Sequence, residues 1–185
     1  MSTPAPSGGA PLIRAATSAD VAAITRIYNE GIADRLATLE TEERSETERA
    51  AWLSSREARH PVFVAVRGAE VAGWASLNPF SPRPAYRFVA DISVYVGRAD
   101  RGAGVGSALL AGLIAAGQQL SYHKLVLAAL PFNETGMRLY RRYGFREVGI
   151  YREQGQLDGR WVDTVVMELL LDEQKAGGGN DADAR

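Results

Sequence analysis

Ser93-Val94-Tyr95-Val96-Gly97-Arg98-Ala99-Asp100-Arg101-Gly102-Ala103-Gly104-Val105-Gly106-Ser107-Ala108-Leu109-Leu110 holds the transition around which this chain of 185 residues is organised. Val94, Tyr95 and Val96 close a run from Phe88 rich in β-branched and aromatic residues, which reads as a strand. After the glycines, Leu109, Leu110, Leu113 and Ile114 recur at helical spacing, predicting an amphipathic helix from Val105 to Leu120. A strand, a glycine-rich turn and a helix can together hold a phosphate. Glycines take positive φ and let an anion approach the backbone. The free amides and dipole at the helix start then favour negative charge. Arg98 and Arg101 can add charge-assisted bonds. A plain turn satisfies the same glycines, so they do not decide the matter alone. Two nucleotide-binding patterns fail on spacing. Gly102, Gly104 and Gly106 give G-x-G-x-G rather than G-x-G-x-x-G, and no lysine precedes Ser107 as a P-loop requires.

Working outward, the other elements follow from capping and periodicity. Thr17 to Asp20 offers capping oxygens ahead of Val21, Ile24, Ile27 and Tyr28 at helical spacing. A second helix is expected from Ser45 to Arg59, with Ser45 and Glu48 as a capping box and Pro61 as its stop. Val62 to Val66 and Val71 to Leu77 read as a hairpin about the turn 67–70. Lys124 to Leu130 is a strand ended by Pro131, and Asn133 to Tyr143 a short helix closed by Gly144. Arg146 to Glu153 and Trp161 to Leu171 read as a last hairpin through Asp158-Gly159. This order predicts an α+β (mixed α/β) fold, one twisted mixed sheet of about seven strands with helices on both faces. One domain over 12–172 is expected, between a leader at 1–11 and a tail at 173–185 whose small, polar and glycine-rich composition predicts disorder.

Composition narrows the chemistry. The absence of cysteine excludes disulfides, thiolate metal sites and a cysteine nucleophile. Two histidines argue against a zinc centre, so no metal is expected. A net charge of −1 gives no general pull toward nucleic acid or an anionic membrane. No apolar run reaches membrane-spanning length, and no secretory signal opens the chain, so the expected location is cytoplasmic.

Arg101, Gly104 and Gly106, directly after Ser93-Val94-Tyr95-Val96, match the [QR]-x-x-G-x-[GA] pattern of the GNAT acetyltransferase superfamily. Asn133, Tyr140, Gly144 and Phe145 resemble its second signature, N-x-x-x-x-x-x-Y-x-x-x-G-F. Within that superfamily, Tyr28-Asn29-Glu30-Gly31-Ile32, Asp91 to Val96 after Arg83-Pro84-Ala85-Tyr86, and Leu157 to Asp163 resemble the phosphinothricin and arsinothricin N-acetyltransferase branch. The resemblance implies acetyl-CoA as donor and the α-amino group of a small glutamate-like compound as acceptor. It also implies a homodimer.

Direct acetyl transfer needs a base for the ammonium, a polariser for the carbonyl, an acid for the departing thiolate, and two substrates held in line. Asp91, in an otherwise apolar strand, is the candidate base, matching a position where the branch carries glutamate; one methylene shorter, it can act through a water. A surface carboxylate paired with an arginine is the competing reading. Tyr140 is the candidate acid by its place in the signature. Main-chain amides of Val94, Tyr95 and Val96 are expected to polarise the thioester and bind the pantetheine arm. Arg101, Gly102, Ala103, Gly104, Val105, Gly106 and Ser107 are expected to cradle the pyrophosphate. Asn133 is expected to bond the cofactor arm, or to cap a helix, or both. Arg83 and Tyr86 can receive an acidic group, Trp161 can form a pocket wall, and Asp163 can meet an ammonium. Leu39 stands where the branch has an aromatic residue. Two other functions fit the same motifs: acetylation of an amino acid, polyamine or protein amino terminus, and a non-catalytic acyl-CoA sensor.

Overall fold

The computed structural model describes residues 9–171. Residues 1–8 of the expected leader and all of the expected tail lie outside the described residues. The chain runs β1 (Leu12–Ala15), α1 (Val21–Ala33), α2 (Glu46–Ser54), β2 (Val62–Arg67), β3 (Glu70–Pro79), β4 (Val89–Val96), α3 (Val105–Gln119), β5 (Lys124–Ala129), α4 (Glu134–Arg142), β6 (Arg146–Leu157) and β7 (Arg160–Leu170). These strands form one seven-stranded sheet in the order β1-β2-β3-β4-β5-β7-β6, the mixed α+β layout expected. Every neighbouring pair is antiparallel except β4 with β5.

Strand alternation divides the sheet between two cores. Leu77, Ile92, Leu125, Leu127, Met167 and Leu169 pack against Leu109, Leu110 and Leu113 of α3. On the other face Val62, Val64 and Trp74 pack against Ile24 and Ile27 of α1. The first core draws α3 close to β3 at Gly73. A Cβ there would stand 2.8 Å from the Tyr95 carbonyl oxygen and 2.9 Å from the Val105 side chain. The start of α1 is fixed by Asp20, which accepts from the Thr17 amide at 2.8 Å and from both terminal nitrogens of Arg14 at 2.7 Å.

Two elements differ from their sequence expectation. Helix α2 ends at Ser54, short of Arg59. The Ser54 and Ser55 hydroxyls donate to the Ala51 and Trp52 carbonyls at 3.0 and 2.9 Å, offering the backbone an alternative to the helical ladder. Strand β6 runs past Glu153 to Leu157 through an irregularity between Tyr151 and Gly155. Glu153 takes a positive φ of 50° there, and its amide donates to Asp163 at 2.8 Å. Neither a side-chain acceptor from another strand nor a bulge can be read from local propensity.

The feature that positions the site is a split in the sheet. Strand β4 pairs with β3 from Ala90 to Val96, but with β5 only from Val89 to Asp91, against Lys124 to Val126. Beyond Asp91 the two parallel strands part.

Candidate active site

The split leaves backbone groups in search of partners. Alternate N–H and C=O groups of an extended strand point to opposite edges, so part of Ile92–Val96 faces the gap rather than β3. This edge is where Val94 and Val96 were expected to offer amides. Their side chains pack into the α3 core. Tyr95 offers only its main chain, because its ring stacks on Trp74 at 4.7 Å and meets Tyr28 edge-on at 5.0 Å.

The glycine-rich turn follows at the end of β4. Gly102 and Gly104 have φ of 80° and 82°, with nothing within 4 Å of where a Cβ would stand. Gly104 caps α3, so the first-turn amides of Val105, Gly106 and Ser107 have no acceptor within the helix. Val105 buries its side chain, so only its backbone can meet an anion. The Ser107 hydroxyl accepts from Arg142, and the Ser107 carbonyl accepts from the Tyr143 hydroxyl at 2.9 Å. The two arginines do not stand free. Arg98 and Arg101 each reach Asp34, at the end of α1, at 2.6 Å. Their guanidiniums, the Arg98 bond foremost, hold the Asp34 carboxyl below the usual carboxylate range. The cradle is therefore chiefly main chain, and its cations come partly neutralised.

Asp91 lies across the ladder from Asn78 of β3 and beside Val126 of β5. Burial pushes its carboxyl up to about 6, against a hydrogen bond from Asn78 that favours the charged form. No arginine or lysine pairs with it among the described residues, so the surface ion-pair reading does not hold. Tyr140 comes from α4, packed edge-on to Phe145 at 5.9 Å and against the α3 core. Burial first, and then the charge of Asp91, push its phenol up to about 12. The fold thus brings the two candidate catalytic groups within electrostatic reach, at the point where the sheet opens. Asn133 uses Oδ1 to accept from the Gly136 amide at 3.0 Å, capping α4. That cap leaves Nδ2 as a donor for another partner.

The loop residues are less gathered. Leu39 meets the outer hairpin: a Cβ on Gly155 would stand 2.9 Å from Leu39 Cδ1. Arg35 reaches Asp158 of the same hairpin at 3.3 Å. The segment between α1 and α2 and the tip of β6–β7 therefore close together over one side of the sheet. Arg83 and Tyr86 are exposed on the turn before β4, where Tyr86 packs on Phe80 at 5.2 Å. Trp161 and Asp163 share the parity of Val165, Met167 and Leu169, which face α3, whereas Asp91 faces the α1–α2 side with Asn78. Trp161 is 60% exposed, and Asp163 bonds Arg152 at 2.6 Å as well as the Glu153 amide. These two side chains do not meet Asp91 within the described chain, and a sequence without register gives no parity.

Sequence reasoning also missed Asn78. A polar residue just before Pro79 at the end of an apolar strand is a visible signal, but its partner across the sheet is not. Among the described residues, no group of three or more His, Cys, Asp or Glu side chains could hold a metal ion. No described helix is long and apolar enough to cross a membrane.

Comparison with known proteins identifies the family. The acetyltransferase (GNAT) domain family matches residues 13–166. The chain belongs to the GNAT family and is an acetyltransferase. It is similar to the L-methionine sulfoximine/L-methionine sulfone acetyltransferase of Salmonella typhimurium, with 33% identity over 89% of this chain and 96% of that one. It is also similar to the solved GNAT phosphinothricin acetyltransferase of Sinorhizobium meliloti in complex with acetyl-CoA, with a TM-score of 0.83 and 32% identity over 88% of this chain and 89% of that one. The ribosomal-protein-alanine N-acetyltransferase structure from Brucella melitensis aligns with a TM-score of 0.83 and 37% identity, covering 86% of this chain and 99% of that one.

Proposed function

We propose that this enzyme transfers the acetyl group of acetyl-CoA to the amino group of a small amino-acid-like acceptor of the phosphinothricin or methionine sulfoximine kind. The observation that carries this reading is the split between β4 and β5, with Asp91 and Tyr140 at its base and the open cradle of Gly102 and Gly104 at its end. The acetyl donor fits these residues because the turn is open at Gly102 and Gly104 beside helix-start amides that suit a pyrophosphate, and the bare β4 edge offers hydrogen bonds to an amide-bearing arm.

In this reading the acceptor ammonium gives up its proton to Asp91, directly or through one water. A carboxyl pushed up to about 6 is ionised at neutral pH, yet basic enough to take a proton. Backbone amides at Val94 or Val96 polarise the thioester carbonyl as the amine attacks. Tyr140, which keeps its proton at neutral pH, donates it to the leaving thiolate, and the second proton shed by the acylated nitrogen restores the phenol. No covalent enzyme intermediate is needed. Leu39, Arg83 and Tyr86 shape the acceptor side, and Trp161 and Asp163 contribute only if the hairpin moves or a second subunit brings them in. Val148, Ile150 and Tyr151, exposed along the outer hairpin together with Trp161, support the homodimer.

A second reading, acetylation of a protein amino terminus, is favoured by the likeness to the Brucella melitensis enzyme. Thiol release across a panel of amines separates the two. Turnover with phosphinothricin, methionine sulfoximine or methionine sulfone supports the first. Turnover with alanine-initiated peptides alone overturns it.

A further inference from the structure

Asn78 sits at the centre of a hydrogen-bond set that spans three elements. Its Oδ1 accepts from an Arg56 terminal nitrogen at 3.1 Å and from the Ser76 hydroxyl at 3.1 Å. Its Nδ2 donates to the Ser93 hydroxyl at 3.1 Å, which turns the donor end of the amide toward β4, where Asp91 stands opposite Asn78 across the ladder. A primary amide in a strand can rotate by half a turn and exchange its oxygen for its nitrogen. Here the exchange is blocked, because guanidinium nitrogens only donate and must face the amide oxygen. The other end of the amide, a donor, is thereby forced toward β4.

Arg56 is itself held. Its Nε donates to the His60 carbonyl at 2.8 Å, one terminal nitrogen donates to the Leu77 carbonyl, and its guanidinium lies 5.0 Å over the Trp52 ring. These anchors exist because α2 stops at Ser54, and the chain then turns Arg56 toward the end of β3.

We propose that Asn78 is a positioning residue for Asp91, its amide held the right way round by Arg56 and Ser76 so that it presents N–H to the carboxylate. The proposal rests on Asp91 being the base. Without the Arg56 lock the amide is free to present its oxygen to the carboxylate, which repels the charged form and leaves the side chain without a fixed direction. The other groups that bear on Asp91 are few. Tyr140 faces it from α4, and Ser93 follows it on β4. Val126 of β5 separates it from Glu168 of β7, which Lys124 and Arg146 already hold at 2.6 and 2.8 Å. Asn78 is the amide side chain that stands opposite it on β3.

The test is the pH dependence of kcat/KM for the acceptor, followed by thiol release, with acetyl-CoA binding measured separately as the check on folding. In Asn78→Ala the acidic limb moves up by about one pH unit, the size of one hydrogen bond to a charged group. Acetyl-CoA affinity is unchanged. Asn78→Asp, which sets a second carboxyl opposite the first, moves the limb further in the same direction. Arg56→Gln also moves it upward, and the double variant Arg56→Gln with Asn78→Ala moves it no further than Asn78→Ala alone. An acidic limb in Asn78→Ala that coincides with wild type overturns the proposal. So does an Arg56→Gln defect that is uniform with pH and adds in full to that of Asn78→Ala. Asp91→Asn distinguishes the two levels. If it keeps the limb, the assignment of the base has failed; if it abolishes the limb while Asn78→Ala leaves it in place, only the positioning role has failed.

Discussion

Asp91 and Tyr140 approach the split in the sheet from different layers, one on β4 facing the α1–α2 side and the other on α4 against the α3 core, and the charge of the first raises the phenol of the second. In the proposed mechanism Asp91 is the base that takes a proton from the amine and Tyr140 the acid that gives one to the thiolate. The same coupling keeps Tyr140 protonated most firmly when Asp91 is ionised, which is the state from which the proposed mechanism starts.

Asp91→Asn should abolish the rise of kcat/KM with pH around 6, leaving a low rate across the range. Stability should move the other way. The folded carboxyl is raised from 3.8 to about 6, so the native state holds the extra proton between those values, and wild-type stability falls as pH rises through them. Thermal melts of Asp91→Asn should therefore show a gain at pH 7.5, on the order of 1–3 kcal/mol, that vanishes below about pH 4. A gain of equal size at pH 4 would remove burial of the charge as its cause.

Tyr140→Phe keeps the packing against Phe145 and removes only the hydroxyl. We expect kcat to fall by about 10²-fold, within the usual range for a general acid, with KM for acetyl-CoA little changed. A phenylalanine variant with wild-type kcat would take Tyr140 out of the chemistry. Thioester donors with a better thiolate leaving group should narrow the gap.

Gly104→Ala tests the cradle through its backbone. Nothing crowds a Cβ there, so the cost comes from the φ of 82°, about 1–2 kcal/mol for a left-handed residue with a side chain. If the turn relaxes to avoid it, the amides before α3 move. KM for acetyl-CoA should rise about tenfold, as that energy predicts, while KM for the acceptor stays near wild type. A rise in acceptor KM alone would place the cofactor elsewhere.

Gly155→Ala addresses the acceptor side. The new methyl would press on Leu39 at 2.9 Å and push the α1–α2 segment off the hairpin. Acceptor KM should change several-fold with the acetyl-CoA KM constant, measured over the same amine panel. Equal changes in both constants would mean that Leu39 serves the fold rather than the acceptor.

Much of this was legible without coordinates. The strand, glycine turn and helix around Arg101 to Gly106, the capping box at Ser45 and the cap at Asn133 are local patterns, and each stands where it was expected. The limits of α2 and β6 were not legible. The first ends where two serines bond back to the helix, and the second bends where Asp163 captures the Glu153 amide from across the hairpin. The pairing of Arg98 and Arg101 with Asp34 was not legible either, because Asp34 is far from them in sequence and adjacent in space.

What the sequence determined by itself is the order of elements, the glycine turn before α3 and the capped helix α4 that carries Tyr140. Those properties reside in short runs, where backbone conformation follows from glycine, capping and periodicity. The tertiary structure alone decided the surroundings of Asp91. Its burial, its lack of a cationic partner among the described residues and its place opposite Asn78 depend on strand register and on where β4 parts from β5. A shift of one residue in that register would turn the side chain to the other face of the sheet, and no local pattern records which register is taken.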